Sequence, residues 1–133
     1  MIITDILENH QWKIMVDNQI ACIFCTTFSD PSIWLEKNND PAVYLHRIAT
    51  RPAFRGMGFV KQIVAWTTAF ALKNNKRFIR MDTGSGNDKL NNYYISCGFE
   101  YLGITTLSDT EGLPEHYKDG TSSLFQLDLS ILV

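Results

Sequence analysis

The stretch Tyr44–Val64, YLHRIATRPAFRGMGFVKQIV, decides the fold. Its first part completes an apolar run, AVYLHRIAT from Ala42 to Thr50, that stops at Arg51-Pro52. This reads as a buried strand ended by a proline turn, because proline has no N–H to give a ladder. Its last part opens a helix: Phe59, Ile63, Trp66 and Phe70 recur at steps of four, three and four, one face turned to a core. The spacing predicts a helix from about Gly58 to Asn74, with Lys73 and Lys76 where cations complement the terminal carbonyls. Between strand and helix stands FRGMGF, Phe54–Phe59. The first amides of a helix lack internal partners, glycine lets backbone approach a ligand closely, and Arg55 adds a fixed charge. Strand, glycine loop and helix opening together suit a pyrophosphate, or else the glycines only shape a turn that caps the helix.

Outward from this unit, WKIMV, Asp17-Asn18 and QIACIFCTTF read as two strands joined by a tight turn. Residues Ser29–Pro41 carry two Asp-Pro steps and read as a loop with a short helical turn around SIWLEK. On the other side, RFIRMD reads as a strand, TGSGN as a loop, and Asp88–Cys97 as a second helix ended by Gly98. FEYLGITTL and SSLFQLDLS form a last antiparallel pair across the polar segment Ser108–Thr121. Helices that cross over between strands imply an α/β chain whose sheet is mixed and mostly antiparallel, with at least one parallel pair. At 133 residues, 45% of them hydrophobic, one domain spanning 1–133 is expected.

Two function classes are disfavoured at once. A net charge of -2 does not provide the excess of Lys and Arg that neutralising a phosphate backbone needs, so no nucleic acid partner is expected. The opening MIITDILENHQWK lacks the pattern of a secretory leader, and no run of apolar residues is long enough to span a membrane. With three cysteines, an odd number, a cytoplasmic location with reduced thiols is expected. Cys22 and Cys25 have CxxC spacing but lie in a strand, where residues three apart point to opposite faces, and no second ligand pair follows. No metal is therefore expected.

FRGMGF fails two phosphate-loop patterns: Phe59 follows Gly58 where a nucleotide-triphosphatase loop has Lys, and Lys61 stands where the dinucleotide fingerprint has its third Gly. The longer segments YLHRIATRPAFRGMGFVKQIV and IRMDTGSGNDKLNNYYISCGFEYLG instead resemble the acetyl-coenzyme A binding core of the GNAT superfamily of N-acetyltransferases. Arg55, Gly56, Met57, Gly58 and Phe59 follow that family's [QR]xxGx[GA] loop, with Val60 where the family has Gly or Ala. Asn87, Tyr94, Gly98 and Phe99 follow its second-helix pattern, with Leu90 and Tyr93 replacing Ala and Leu.

The resemblance implies acetyl transfer from acetyl-CoA to a primary amine, on a small molecule or a protein, by direct attack. The amides of Arg55 through Val60 would cradle the pyrophosphate. Ile48 and Thr50 would pair with the pantetheine arm as though it were a further strand, and an amide near Ile48 or Ala49 would steady the oxyanion. Asn87 reaches the same arm or simply caps its helix. Tyr94 is the general acid or a core residue; His46 is the general base or a structural histidine, sharing the face of Ile48 and Thr50 if no bulge intervenes. Glu111, Glu115 and His116 line the acceptor site or are solvated loop. Only about eleven residues precede the first strand, so most of the family's first strand and two helices are expected to be missing. An open acceptor groove, a homodimer that covers it, or a non-catalytic acyl-CoA binding module would follow.

Overall fold

The structure is a computed structural model that describes residues 2–7, 11–106 and 121–132. Seven strands form one sheet in the order β1-β2-β3-β4-β5-β7-β6. They are β1 (Ile2–Leu7), β2 (Gln11–Val16), β3 (Gln19–Thr27), β4 (Ala42–Thr50), β5 (Phe78–Gly84), β6 (Glu100–Thr106) and β7 (Thr121–Asp128). Among the described residues, only β4 and β5 pair in parallel. That pair needs a crossover, and helix α2 (Phe59–Lys73) supplies it. A short helix α1 (Pro31–Trp34) sits between β3 and β4, and α3 (Asp88–Ser96) between β5 and β6.

β1 corrects the sequence reading, which began its strands at Trp12: Ile2–Leu7 pairs antiparallel with β2 and forms one edge of the sheet. Its six residues mix Thr4 and Asp5 with aliphatics, so their own periodicity is weak and the pairing with β2 reveals the strand. The tight turn after β2 is present, with Asp17 at φ 50 and Asn18 at φ 65, as a two-residue hairpin connection requires. A second correction lies at TGSGN, where β5 stays paired to β7 through Gly84 opposite Ser122.

Both faces of the sheet are covered. On one, α2 buries Phe59, Ile63, Thr67 and Ala71, a stripe at steps of four. Trp66 and Phe70, expected in that stripe, flank it half-buried and stack on each other with ring centroids 5.0 Å apart. Trp12 of β2 closes the cluster at 4.5 Å from Trp66. On the opposite face, Ile33 and Trp34 of α1 pack with Ala42, Tyr44 and Leu124.

The second face is pinned by Arg80 of β5, whose side chain is only 1% exposed. Its guanidinium lies 4.7 Å from the ring centroids of both Trp34 and Phe78. It donates to Gln126 Oε1, the Lys37 carbonyl, Tyr44 Oη and Asp40 Oδ2 at 2.7 to 3.0 Å. A planar fork of five donors can satisfy all of these at once. Arg80 therefore fixes the β3–β4 connection, Asp30 and α1 included, onto the sheet. Among the described residues, no helix is long and apolar enough to cross a membrane.

Candidate active site

The β4–β5 pairing covers only Ala42–Tyr44 against Phe78–Arg80. Both strands continue, β4 alongside β3 to Thr50 and β5 alongside β7 to Gly84. Diverging strands leave two unpaired edges facing one gap, and the backbone groups there need partners. The gap is a cleft of about 870 Å³ that passes through the sheet. Ile48, Met81 and Tyr94 line it from the side of α2 and α3, and Asp30, His46 and Asp82 from the side of α1.

A bulge in β4 separates the residues expected on one face. Cys25 pairs with His46 and Ile23 with Ala49, so three steps on β4 oppose two on β3, and Arg47 takes φ 54. An extra residue inverts the alternation beyond it. Ile48 then packs with the core cluster of Val43 and Leu45, while His46 turns to the opposite face and bonds Thr27. The shared face read from strand alternation for His46, Ile48 and Thr50 is thereby corrected. Ile48 is in the cleft wall, whereas Ala49 and Thr50 lie beside a shallow depression over β3 and Thr50 Oγ1 donates to Cys22 Sγ at 3.5 Å.

His46 meets a hydroxyl of β3. Its Nε2 lies 2.9 Å from Thr27 Oγ1, and that hydroxyl donates its single proton to the Ser29 carbonyl at 3.2 Å. With that proton on the Ser29 carbonyl, Nε2 is the donor and the lone pair lies on Nδ1; with the hydroxyl turned to Nε2, the tautomer is the opposite one. Burial lowers the imidazole pKa, with Arg47 acting in the same direction against Asp82. The ring is neutral at pH 7 and able to accept a proton.

Tyr94 combines both roles read for it. Its ring packs 5.3 Å from Phe125 in the core, and the residue also lines the cleft. Burial, then the neighbouring Tyr93 and Cys97, raise its pKa, so the phenol holds its proton. Asn87 likewise does two things: its Oδ1 accepts the Leu90 amide at 3.0 Å as the N-cap of α3, and it stands in the cleft wall.

The loop Arg55–Val60 follows β4 after a turn of 3-10 helix over Pro52–Phe54 and is not part of the cleft wall. Gly58 caps α2 in the left-handed region at φ 72, a conformation side chains resist, and no side chain caps the helix. A Cβ at Gly56 or Gly58 would meet nothing within 4 Å, so the space over the loop is open. Arg55, Gly56 and Met57 are exposed, Gly58 and Val60 half-buried, and Phe59 is anchored in the core at 4% exposure. First-turn amides beside open space have the chemistry that suits an anion.

Sequence reasoning missed Asp30 and Asp82. Ligand atoms of Asp30, His46 and Asp82 lie within 4.8 Å of one another, a spacing that also suits a cation. Burial, with the charge of Asp82 added, pushes the Asp30 carboxyl up to about 7. Neither aspartate carries a local sequence signal, because α1 and β5 bring them to His46 only in the folded chain. Cys22 is buried and Cys25 lines the cleft, on opposite faces as strand alternation requires, and both are free thiols. Glu111, Glu115 and His116 lie outside the described residues.

Residues 9–99 match the Acetyltransferase (GNAT) family. The chain belongs to this family. It is 28% identical over 100 residues to YesJ of Bacillus subtilis (strain 168), an uncharacterized N-acetyltransferase, covering 72% of this chain and 56% of that protein. A GNAT-family acetyltransferase of Listeria monocytogenes 4b F2365 superposes with a TM-score of 0.70 at 25% identity, covering 90% of this chain and 64% of that one. A Bacillus subtilis acetyltransferase in complex with CoA shares the fold at a TM-score of 0.65 and 18% identity, over 90% of this chain and 76% of that one. The chain thus spans less than two thirds of the length of YesJ and of the Listeria protein.

Proposed function

We propose that the chain is a single-domain N-acetyltransferase that moves the acetyl group of acetyl-CoA to a primary amine by direct attack. One observation carries this reading: β4 and β5 part over a cleft with a protonated phenol on one side and a neutral imidazole on the other. The solved Bacillus subtilis relative bound to CoA supports the choice of donor.

The residues divide the work by position. Amides of Arg55 through Val60 take the pyrophosphate, and the free edge of β4 from Ile48 to Thr50 hydrogen-bonds the pantetheine amides as a further strand would. Asn87, at the head of α3, borders the same arm. The amine lone pair attacks the thioester carbonyl, and a backbone amide near Ile48 or Ala49 holds the oxyanion. As the C–N bond forms, His46 Nδ1 takes a proton from the nitrogen; as the C–S bond breaks, Tyr94 Oη gives one to sulfur. Solvent restores both residues, so one amide and one thiol are produced from one amine and one thioester.

The deciding experiment is a thermal melt with and without acetyl-CoA, followed by a screen of primary amines for thiol release. At about one hundred times its dissociation constant the ligand stabilises by roughly 2.7 kcal/mol. For a chain of this length the midpoint should rise by on the order of 8 to 12 °C. No rise at saturating acetyl-CoA overturns the reading. A rise with no transfer to any amine leaves a binding module instead of an enzyme.

A further inference from the structure

At its β2–β3 end the cleft holds a charge that the transfer chemistry leaves unused. Arg47 lines the cleft there, with Gln11 of β2 and Cys25 of β3, which stand opposite each other in the ladder. Arg47 occupies the β4 bulge at φ 54, a left-handed conformation that strains any residue with a side chain. Among the described residues no contact of the guanidinium offsets that strain: Arg47 is exposed and forms no ion pair or side-chain hydrogen bond. Arg77 and Arg80 are by contrast each paired with an aspartate, Asp128 at 2.9 Å and Asp40 at 2.7 Å. The field of Arg47 reaches inward. Beyond burial, the charge acting on the Cys25 thiol is that of Arg47, which also acts on the His46 imidazole, after Asp82. Asp30 and Asp82 gather around His46 from α1 and β5. An anionic group therefore has its place in the cleft at the Arg47 end.

We propose that Arg47 binds a carboxylate carried by the acceptor, so that the acceptors are aminocarboxylates, amino acids in the broad sense, in preference to amines without an acid group. This rests on the transfer reading above and adds a specificity-determining residue to it. Consecutive Cα atoms lie about 3.8 Å apart, so a molecule whose amine meets His46 needs only a short carbon chain to bring an acid group to Arg47. In a regular strand consecutive side chains alternate, and residue 47 would leave the face of His46. As the extra residue of the bulge it stays at the cleft. A guanidinium presents two parallel N–H donors to a carboxylate, a planar match that an ammonium group does not offer. The Gln11 carboxamide adds a further donor from β2. Burial raises the Cys25 pKa against the pull of Arg47, so the thiol on the strand between them is neutral and does not repel an acid.

The test uses the full chain with 15N-labelled arginine, its Arg47 Nε–H signal identified by loss in Arg47→Gln. The probes are alanine, 3-aminopropanoate and 5-aminopentanoate, against the matched amines 2-aminopropane, propylamine and pentylamine, each titrated with and without coenzyme A. The Arg47 signal should move with at least one acid and stay still with all three amines. That acid should bind about ten- to a hundredfold more weakly to Arg47→Gln, and Arg47→Lys should recover part of the loss. Arg51→Gln, which removes a neighbouring exposed cation outside the cleft, should change the affinity by no more than about twofold. Arg47→Gly is free of strain at a positive φ. It should melt no lower than the parent and yet bind the acid as weakly as Arg47→Gln, an outcome that a purely structural role would not give. An Arg47 signal unmoved by all three acids would overturn the proposal, as would equal affinity for acid and matched amine. So would an equal loss in Arg51→Gln, since the attraction would then be a diffuse surface field, and so would acetate that moves the signal as strongly as the amino acids. Failure of acetyl-CoA to bind would count against the transfer reading alone, because the arginine titration decides the carboxylate seat with or without the donor.

Discussion

Tyr94 and Asp30 sit on opposite sides of the cleft, and each has a proton affinity that its surroundings have raised. For Tyr94 the consequence is kinetic. Removing only the hydroxyl in Tyr94→Phe keeps the ring against Phe125 but takes the proton from the departing thiolate. Turnover should drop by on the order of 100-fold or more, with the acetyl-CoA melting shift unchanged; steady-state kinetics beside a melt reads both, and unaltered turnover removes Tyr94 from the mechanism. For Asp30 the consequence is thermodynamic. Its carboxyl moves from 3.8 to about 7 on folding, so between those values the folded chain holds a proton that the unfolded chain has released. Stability is then complete below about pH 4 and declines as pH rises toward 7. Asp30→Asn mimics the protonated form, and should melt higher than the parent at pH 8 and almost equally at pH 3. A variant that melts lower at both values would show that Asp30 supports the fold and does not strain it.

At the scale of elements, what was legible in the sequence followed period and punctuation. The Asp17-Asn18 turn and the stop at Pro52 are local patterns and stand where they were read; helix α2 does too, but its buried stripe runs through Thr67 and Ala71, with Trp66 and Phe70 flanking it. β1 was missed because its apolar alternation is broken and its strand character comes from β2. The β4 bulge was missed because nothing in VYLHRIAT marks Arg47 for a positive φ; the extra residue is visible only in the pairing with β3. The carboxylate pair was missed because it depends on how the β3–β4 connection is pinned, and Arg80 does the pinning. Its removal should therefore disturb more than one contact. Arg80→Ala leaves Tyr44 Oη, Gln126 and the Lys37 carbonyl without their donor and opens the space between Trp34 and Phe78. Unfolding free energy should fall by about 3 to 5 kcal/mol, roughly 10 °C or more in midpoint. Arg80→Lys should lose less, since it keeps a charge for Asp40. Chemical denaturation of both variants checks the order, and a loss no larger than 1 kcal/mol for Arg80→Ala would mean that the network adds little.

At the scale of the whole molecule, the sheet is continuous across seven strands except where β4 and β5 part, and the donor would complete it there. This separates a ligand that only docks at the glycine loop from one that becomes part of the sheet. Among the described residues, backbone amides of β4 from Leu45 to Thr50 that point away from β3 have no strand partner on that side. If the pantetheine arm bonds this edge, those amides should exchange hydrogen more slowly with coenzyme A bound, together with those of Arg55 through Val60. The β6–β7 ladder, none of whose residues lines the cleft, should exchange at nearly the same rate with or without ligand. Amide-resolved exchange measured at saturating coenzyme A makes the comparison. Protection confined to the loop would leave pyrophosphate binding intact and remove the extra strand, with Ile48 as a wall and not a partner. Protection in both places would show why a chain with this gap keeps its strands apart: the ligand, not another strand, is the intended neighbour of β4.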